Sequence, residues 1–100
     1  AAMAEAHHIQ IAPHCYCGPI AAAANIQLAV TLPNFLILET IKDWGGMHAK
    51  LLKKKIDFED GYTIPSKEPG LGVEIDESIC EAHPYSGELL HLEPHSMPLV

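Results

Sequence analysis

An α/β fold assembled from parallel βα units is predicted for this 100-residue chain by three features. Two strand-length apolar segments, 8–12 and 35–38, flank a helix-length segment at 20–32. The connections between them are only a few residues long, as in a parallel sheet covered by its own crossover helices. Each strand is followed by an ionisable side chain, His14 or Glu39. In a closed (β/α) barrel such positions project into one shared mouth, where active sites lie.

The elements follow in chain order. Residues 1–8, AAMAEAHH, favour helix and end in two histidines suited to the negative end of a helix dipole. His8-Ile9-Gln10-Ile11-Ala12 alternates polar and apolar up to Pro13, which closes a short strand and leaves His14 just beyond it. Gly18-Pro19 opens the next helix, with proline where the first turn tolerates it, and Pro33 stops it. The run Ala21 to Ala24 lets that helix approach a sheet closely. Phe35-Leu36-Ile37-Leu38 is the continuous apolar run of a strand covered on both faces. Beyond Trp44-Gly45-Gly46 the texture changes, dividing the chain into 1–44 and 45–100. The second part predicts a short helix at 47–55 and a hairpin of 56–59 with 62–64 around Asp60-Gly61. A turn at 69–72, a short strand at 73–75, a helix capped by Asp76 and running to His83, and an irregular proline-rich tail complete it.

Composition excludes several classes of function. Thirteen acidic residues against six lysines and no arginine give a net charge of −7, which repels nucleic acid and anionic membranes. Lys53-Lys54-Lys55 reads as a solvated face. No apolar run reaches the roughly 18 residues needed to span a bilayer. Three cysteines argue for a reducing compartment over a disulfide scaffold, so a cytoplasmic protein is expected. The chain opens without methionine in the middle of what reads as a helix, and a truncated N-terminus is the expectation.

His7, His8, His14, Cys15 and Cys17 invite a zinc reading, but the Cys15 and Cys17 spacing is too short. No second pair lies at finger-like distance, and His7 and His8 fall at the opposite end of the strand from His14. C-x-C is equally unlike the C-x-x-C redox motif. The pattern leaves His14 and Glu39 as the chemical pair, against the alternative of a structural ion pair; a carboxylate closing a buried strand needs a partner or a task. Asp43 and Trp44 lie in the loop after that strand, and His91 and His95 read as surface.

The ordered set Ile11-Ala12-Pro13-His14, Gly18-Pro19-Ile20-Ala21, Pro33-Asn34-Phe35-Leu36-Ile37-Leu38-Glu39, Glu59-Asp60-Gly61-Tyr62 and Glu68-Pro69-Gly70-Leu71-Gly72-Val73-Glu74 resembles the C-terminal quarter of the mandelate racemase branch of the enolase superfamily. Its nearest likeness is to acid-sugar dehydratases of the D-galactonate dehydratase kind. The resemblance implies the C-terminal part of a modified (β/α)7β TIM barrel, strands seven and eight lying in 1–44, and a segment 45–100 returning to an α+β capping domain. It implies Mg²⁺ held by carboxylates upstream of these residues, a small sugar-acid substrate and a homo-oligomer. His14 matches the general base and Glu39 the acid that hydrogen-bonds the developing enediolate oxygen. The loop Cys15-Tyr16-Cys17 departs from the family's usual residues, which makes Cys15 and Cys17 substrate-binding candidates, and Trp44 joins them as a residue of the loop after the second strand that can line the mouth. On this reading the 100 residues alone are inactive, because two βα units cannot close a barrel.

Overall fold

The computed structural model describes residues 1–41 and 44–86; Asp43, His91 and His95 lie outside the described residues. Helix α1, Ala2–Glu5, ends in a Schellman arrangement. The Ile9 N–H donates to the Ala4 carbonyl and the His8 N–H to the Glu5 carbonyl, both at 2.9 Å. His8 takes the left-handed position at φ +57°, which glycine usually fills. That turn leaves His8 out of the strand expected over 8–12.

The two expected strands do run side by side and parallel, but their formal pairing is reduced to one bridge, Ile11 with Phe35. Ile11 donates to the Asn34 carbonyl at 2.8 Å and accepts from the Leu36 N–H at 2.9 Å. The next contact joins the Glu39 N–H to the Pro13 carbonyl at 3.4 Å. Two residues of the first segment thus match three of the second, an offset of the bulge kind that interrupts the ladder and sets Glu39 level with the residue after Pro13. Asn34 ties the pair at its start, its Nδ2 donating to the Ile9 carbonyl at 2.9 Å.

Helix α2, Pro19–Ala29, connects the two segments. Its buried residues, Pro19, Ala22, Ala23, Ile26 and Ala29, recur every three or four positions and so form one face. Gly18 caps it in an extended conformation, and Pro19 occupies the first turn as expected. The helix stops at Ala29, short of the expected Leu32. The last turn tightens there: the Thr31 and Leu32 N–H groups reach back only three residues, to Leu28 and Ala29, and the Thr31 hydroxyl also donates to the Leu28 carbonyl. Cys15, Ala22 and Trp44 form the buried cluster, with Ile41 and Ile56 against it.

Helix α3, Met47–Lys50, is shorter than the expected 47–55. From Leu51 onward the backbone pairs with 74–76 instead, through the Lys53 N–H on the Glu74 carbonyl and the Asp76 N–H on the Leu51 carbonyl. The expected strand at 73–75 is therefore a single antiparallel bridge, Leu52 with Ile75, and Lys53 joins Glu74 in an exposed ion pair. The Glu74 carboxylate raises the pKa of Lys53. The expected hairpin is present: β1, Asp57–Glu59, pairs antiparallel with β2, Tyr62–Ile64. Its two-residue turn has positive φ at both Asp60 and Gly61, the type I′ pattern that the Asp-Gly dipeptide favours. Helix α4, Glu77–Ala82, is capped by Asp76, whose carboxylate accepts from the Ser78 N–H at 3.1 Å.

Candidate active site

The parallel segments deliver His14 and Glu39 to the same end of the fold. His14 Nε2 stands 3.5 Å from Glu39 Oε2, and both side chains are largely open to solvent, at 77% and 51% exposure. That exposure suits groups that must meet a substrate, and it makes the pair a weak source of stability. The same Glu39 oxygen accepts the backbone N–H of Cys15 at 2.8 Å. A carboxylate held by a main-chain donor keeps its direction without a second charge to neutralise it.

The loop between strand and helix is fixed from below. The Cys15 side chain is only 1% exposed and packs with Ala22 and Trp44, so its thiol points into the core and its N–H toward Glu39. Trp44 is 4% exposed, adopts φ +54°, and stacks on His48 at 5.6 Å. Asn25, from α2, donates its Nδ2 to the His14 carbonyl at 3.0 Å. Cys17 is exposed, as is Tyr16. Of the residues singled out in sequence, His14 and Glu39 come together at the surface, Cys15 and Trp44 come together beneath them, and Cys17 stands outside that cluster. Asn25 was missed. Its signal was an amide directly after four alanines, in a helix whose one other polar side chain is Gln27.

Among the described residues no group of three or more His, Cys, Asp or Glu side chains is placed to hold a metal ion. Nor is any helix of the described residues long and apolar enough to cross a membrane.

The profile of the Enolase C-terminal domain-like family matches residues 1–79. The chain belongs to that family. As an α/β fragment of the enolase superfamily it is similar to D-galactonate dehydratase from Ralstonia pickettii (strain 12J), with 43% identity over 88 residues, 79% of this chain and 22% of the relative. The D-galactonate dehydratase of Cronobacter sakazakii (strain ATCC BAA-894) is 46% identical over 86 residues, 77% of this chain and 22% of the relative. Among solved structures, a Burkholderia SAR-1 protein assigned to the mandelate racemase/muconate lactonizing enzymes superposes with a TM-score of 0.87. It is 59% identical, over 91% of this chain and 23% of that one. This enolase-superfamily chain thus spans about a fifth of the length of the relatives it matches.

Proposed function

We propose that the full-length protein is a Mg²⁺-dependent acid-sugar dehydratase, and that His14 and Glu39 are two of its catalytic groups. The observation that carries the reading is the pair itself: an imidazole and a carboxylate 3.5 Å apart, at matching ends of parallel segments. The D-galactonate dehydratases among the relatives support the substrate class. Carboxylates upstream of these residues would hold the Mg²⁺, which would supply positive charge that makes the proton α to the substrate carboxylate more acidic.

The roles of this chain's groups follow from their chemistry. Neutral His14 takes the α-proton on Nε2, leaving an enediolate. Glu39 donates a hydrogen bond to the enediolate oxygen, while its Oε2 is held by the Cys15 N–H. An upstream acid protonates the departing β-hydroxyl, and the resulting enol tautomerises to a 2-keto-3-deoxy sugar acid. The loop of Cys15 and Cys17, with Trp44 beneath it, shapes the substrate side of the pocket. Cys17 contributes an exposed side chain, while Cys15 and Trp44 set the loop's path from within. Residues 1–44 supply the last strands of a (β/α)7β barrel and 45–100 return to a capping domain. The apolar side chains that the hairpin leaves open, Tyr62 and Ile64 among them, support such a return. The protein acts on a small molecule as a cytoplasmic homo-oligomer.

The likeness to mandelate racemase/muconate lactonizing enzymes favours a second reading, in which the same pair serves an epimerase, racemase or cycloisomerase. Product analysis by NMR in D₂O separates the two. A 2-keto-3-deoxy acid marks the dehydratase, and an α-deuterated hydroxy acid marks the epimerase. Loss of the base in His14→Asn is expected to lower kcat of the full-length protein by about 10²-fold or more. Near wild-type turnover of every accepted acid sugar in that variant would sink both readings.

A further inference from the structure

We infer that Asn25 is a positioning residue for Glu39, acting on it through the peptide group that joins His14 to Cys15. This rests on the proposed role of Glu39. That peptide is trans, as all the described ones are, so its carbonyl and its N–H point in opposite directions. Each end is taken by one side chain: Asn25 Nδ2 donates to the carbonyl at 3.0 Å, and Glu39 Oε2 accepts from the N–H at 2.8 Å. The three groups form a series, amide to peptide to carboxylate. Donation to the carbonyl polarises the peptide and strengthens its N–H as a donor at the far side.

The peptide plane is also held against rotation. Cys15 is 1% exposed and packed on Ala22, which lies three residues before Asn25 and so on the same side of α2. One helix face therefore supplies both the surface that fixes Cys15 and the donor that orients its amide. Because His14 contributes the carbonyl, the same anchor sets the backbone from which the imidazole projects. Removing the Asn25 amide frees the carbonyl end of the plane, and the N–H loses its aim at Glu39.

A selective NMR experiment on the full-length protein reads this directly. His14-Cys15 is a His-Cys dipeptide and the one such pair in these 100 residues. Labelling histidine with carbonyl-¹³C and cysteine with ¹⁵N picks out its peptide group, identified by loss of the signal in Cys15→Ala. Asn25→Leu, and the isosteric Asn25→Asp that lacks the donor, are expected to move the Cys15 amide proton and the His14 carbonyl carbon upfield. In parallel, kcat falls about tenfold with KM unchanged. An unmoved Cys15 amide proton in both variants overturns the inference, even if kcat falls, because Asn25 is then structural. A moved signal with wild-type kcat overturns the positioning role as well. A wild-type protein that eliminates water from no acid sugar overturns the dehydratase reading instead, while the resonance shift still reports the hydrogen-bonded series.

Discussion

Cys15 shows how one residue does two separate things. Its thiol drew attention in the sequence as a metal or redox group, yet it packs beside Trp44 while the main-chain N–H meets Glu39. Gly72 is constrained just as locally. It sits at φ +71°, and a β-carbon there would overlap the Cβ and Oγ of Ser66. Ser66 cannot simply step aside, since its carbonyl accepts from Gln27 of α2 and its hydroxyl from the Glu68 N–H. Gly72→Ala is therefore expected to destabilise the full-length protein by more than the backbone conformation alone costs, about 1–2 kcal/mol. Chemical denaturation measures this, and an unchanged midpoint would count against the close approach described.

At the scale of elements, helix boundaries follow caps more closely than propensity. α2 ends where its backbone turns to three-residue bonds, before the proline that marks its end in the sequence. α4 starts at Asp76, where the sequence places it, because a carboxylate that accepts the Ser78 N–H and hydroxyl satisfies a free helix donor. Those bonds favour the charged form, with the Ser78 side chain contributing most, and lower the Asp76 pKa from its ordinary 3.8. A carboxyl whose folded pKa is depressed adds stability above the unfolded pKa and loses it as pH falls through the folded one. In the full-length protein the melting temperature of Asp76→Ala should thus lie below wild type by a constant margin above about pH 5, and the margin should shrink below about pH 4. A margin indifferent to pH across that range would remove the charge from the explanation.

For the whole molecule the decisive quantity is how little is enclosed. Among the described residues the buried hydrophobics are Cys15, Ala22, Ala23, Ile26, Ala29, Trp44 and Leu52, mostly small. Leu36 and Ile37, in a run that reads as covered on both faces, are 57% and 63% exposed. Neighbouring layers of a barrel would cover them. At about 25 cal/mol per Å² of buried apolar surface, so small a core does not offset the entropy of ordering the described residues. The isolated chain is expected to melt without a cooperative transition in calorimetry. A sharp endotherm would show that this part of the protein folds by itself.

What the sequence determined alone was local: the order of elements, the Asp-Gly hairpin, the Asp76 cap, and the two residues that close the paired segments. Each depends on neighbours a few positions away, where turn chemistry and periodicity act. Tertiary structure decided the rest. It offset the segments so that Glu39 meets the Cys15 amide 24 residues earlier, turned the cysteine inward, placed Trp44 beneath the loop, and brought Asn25 to the His14 carbonyl. Those relations depend on how α2 lies against the paired segments, and no local pattern encodes the distance between a helix face and a loop peptide.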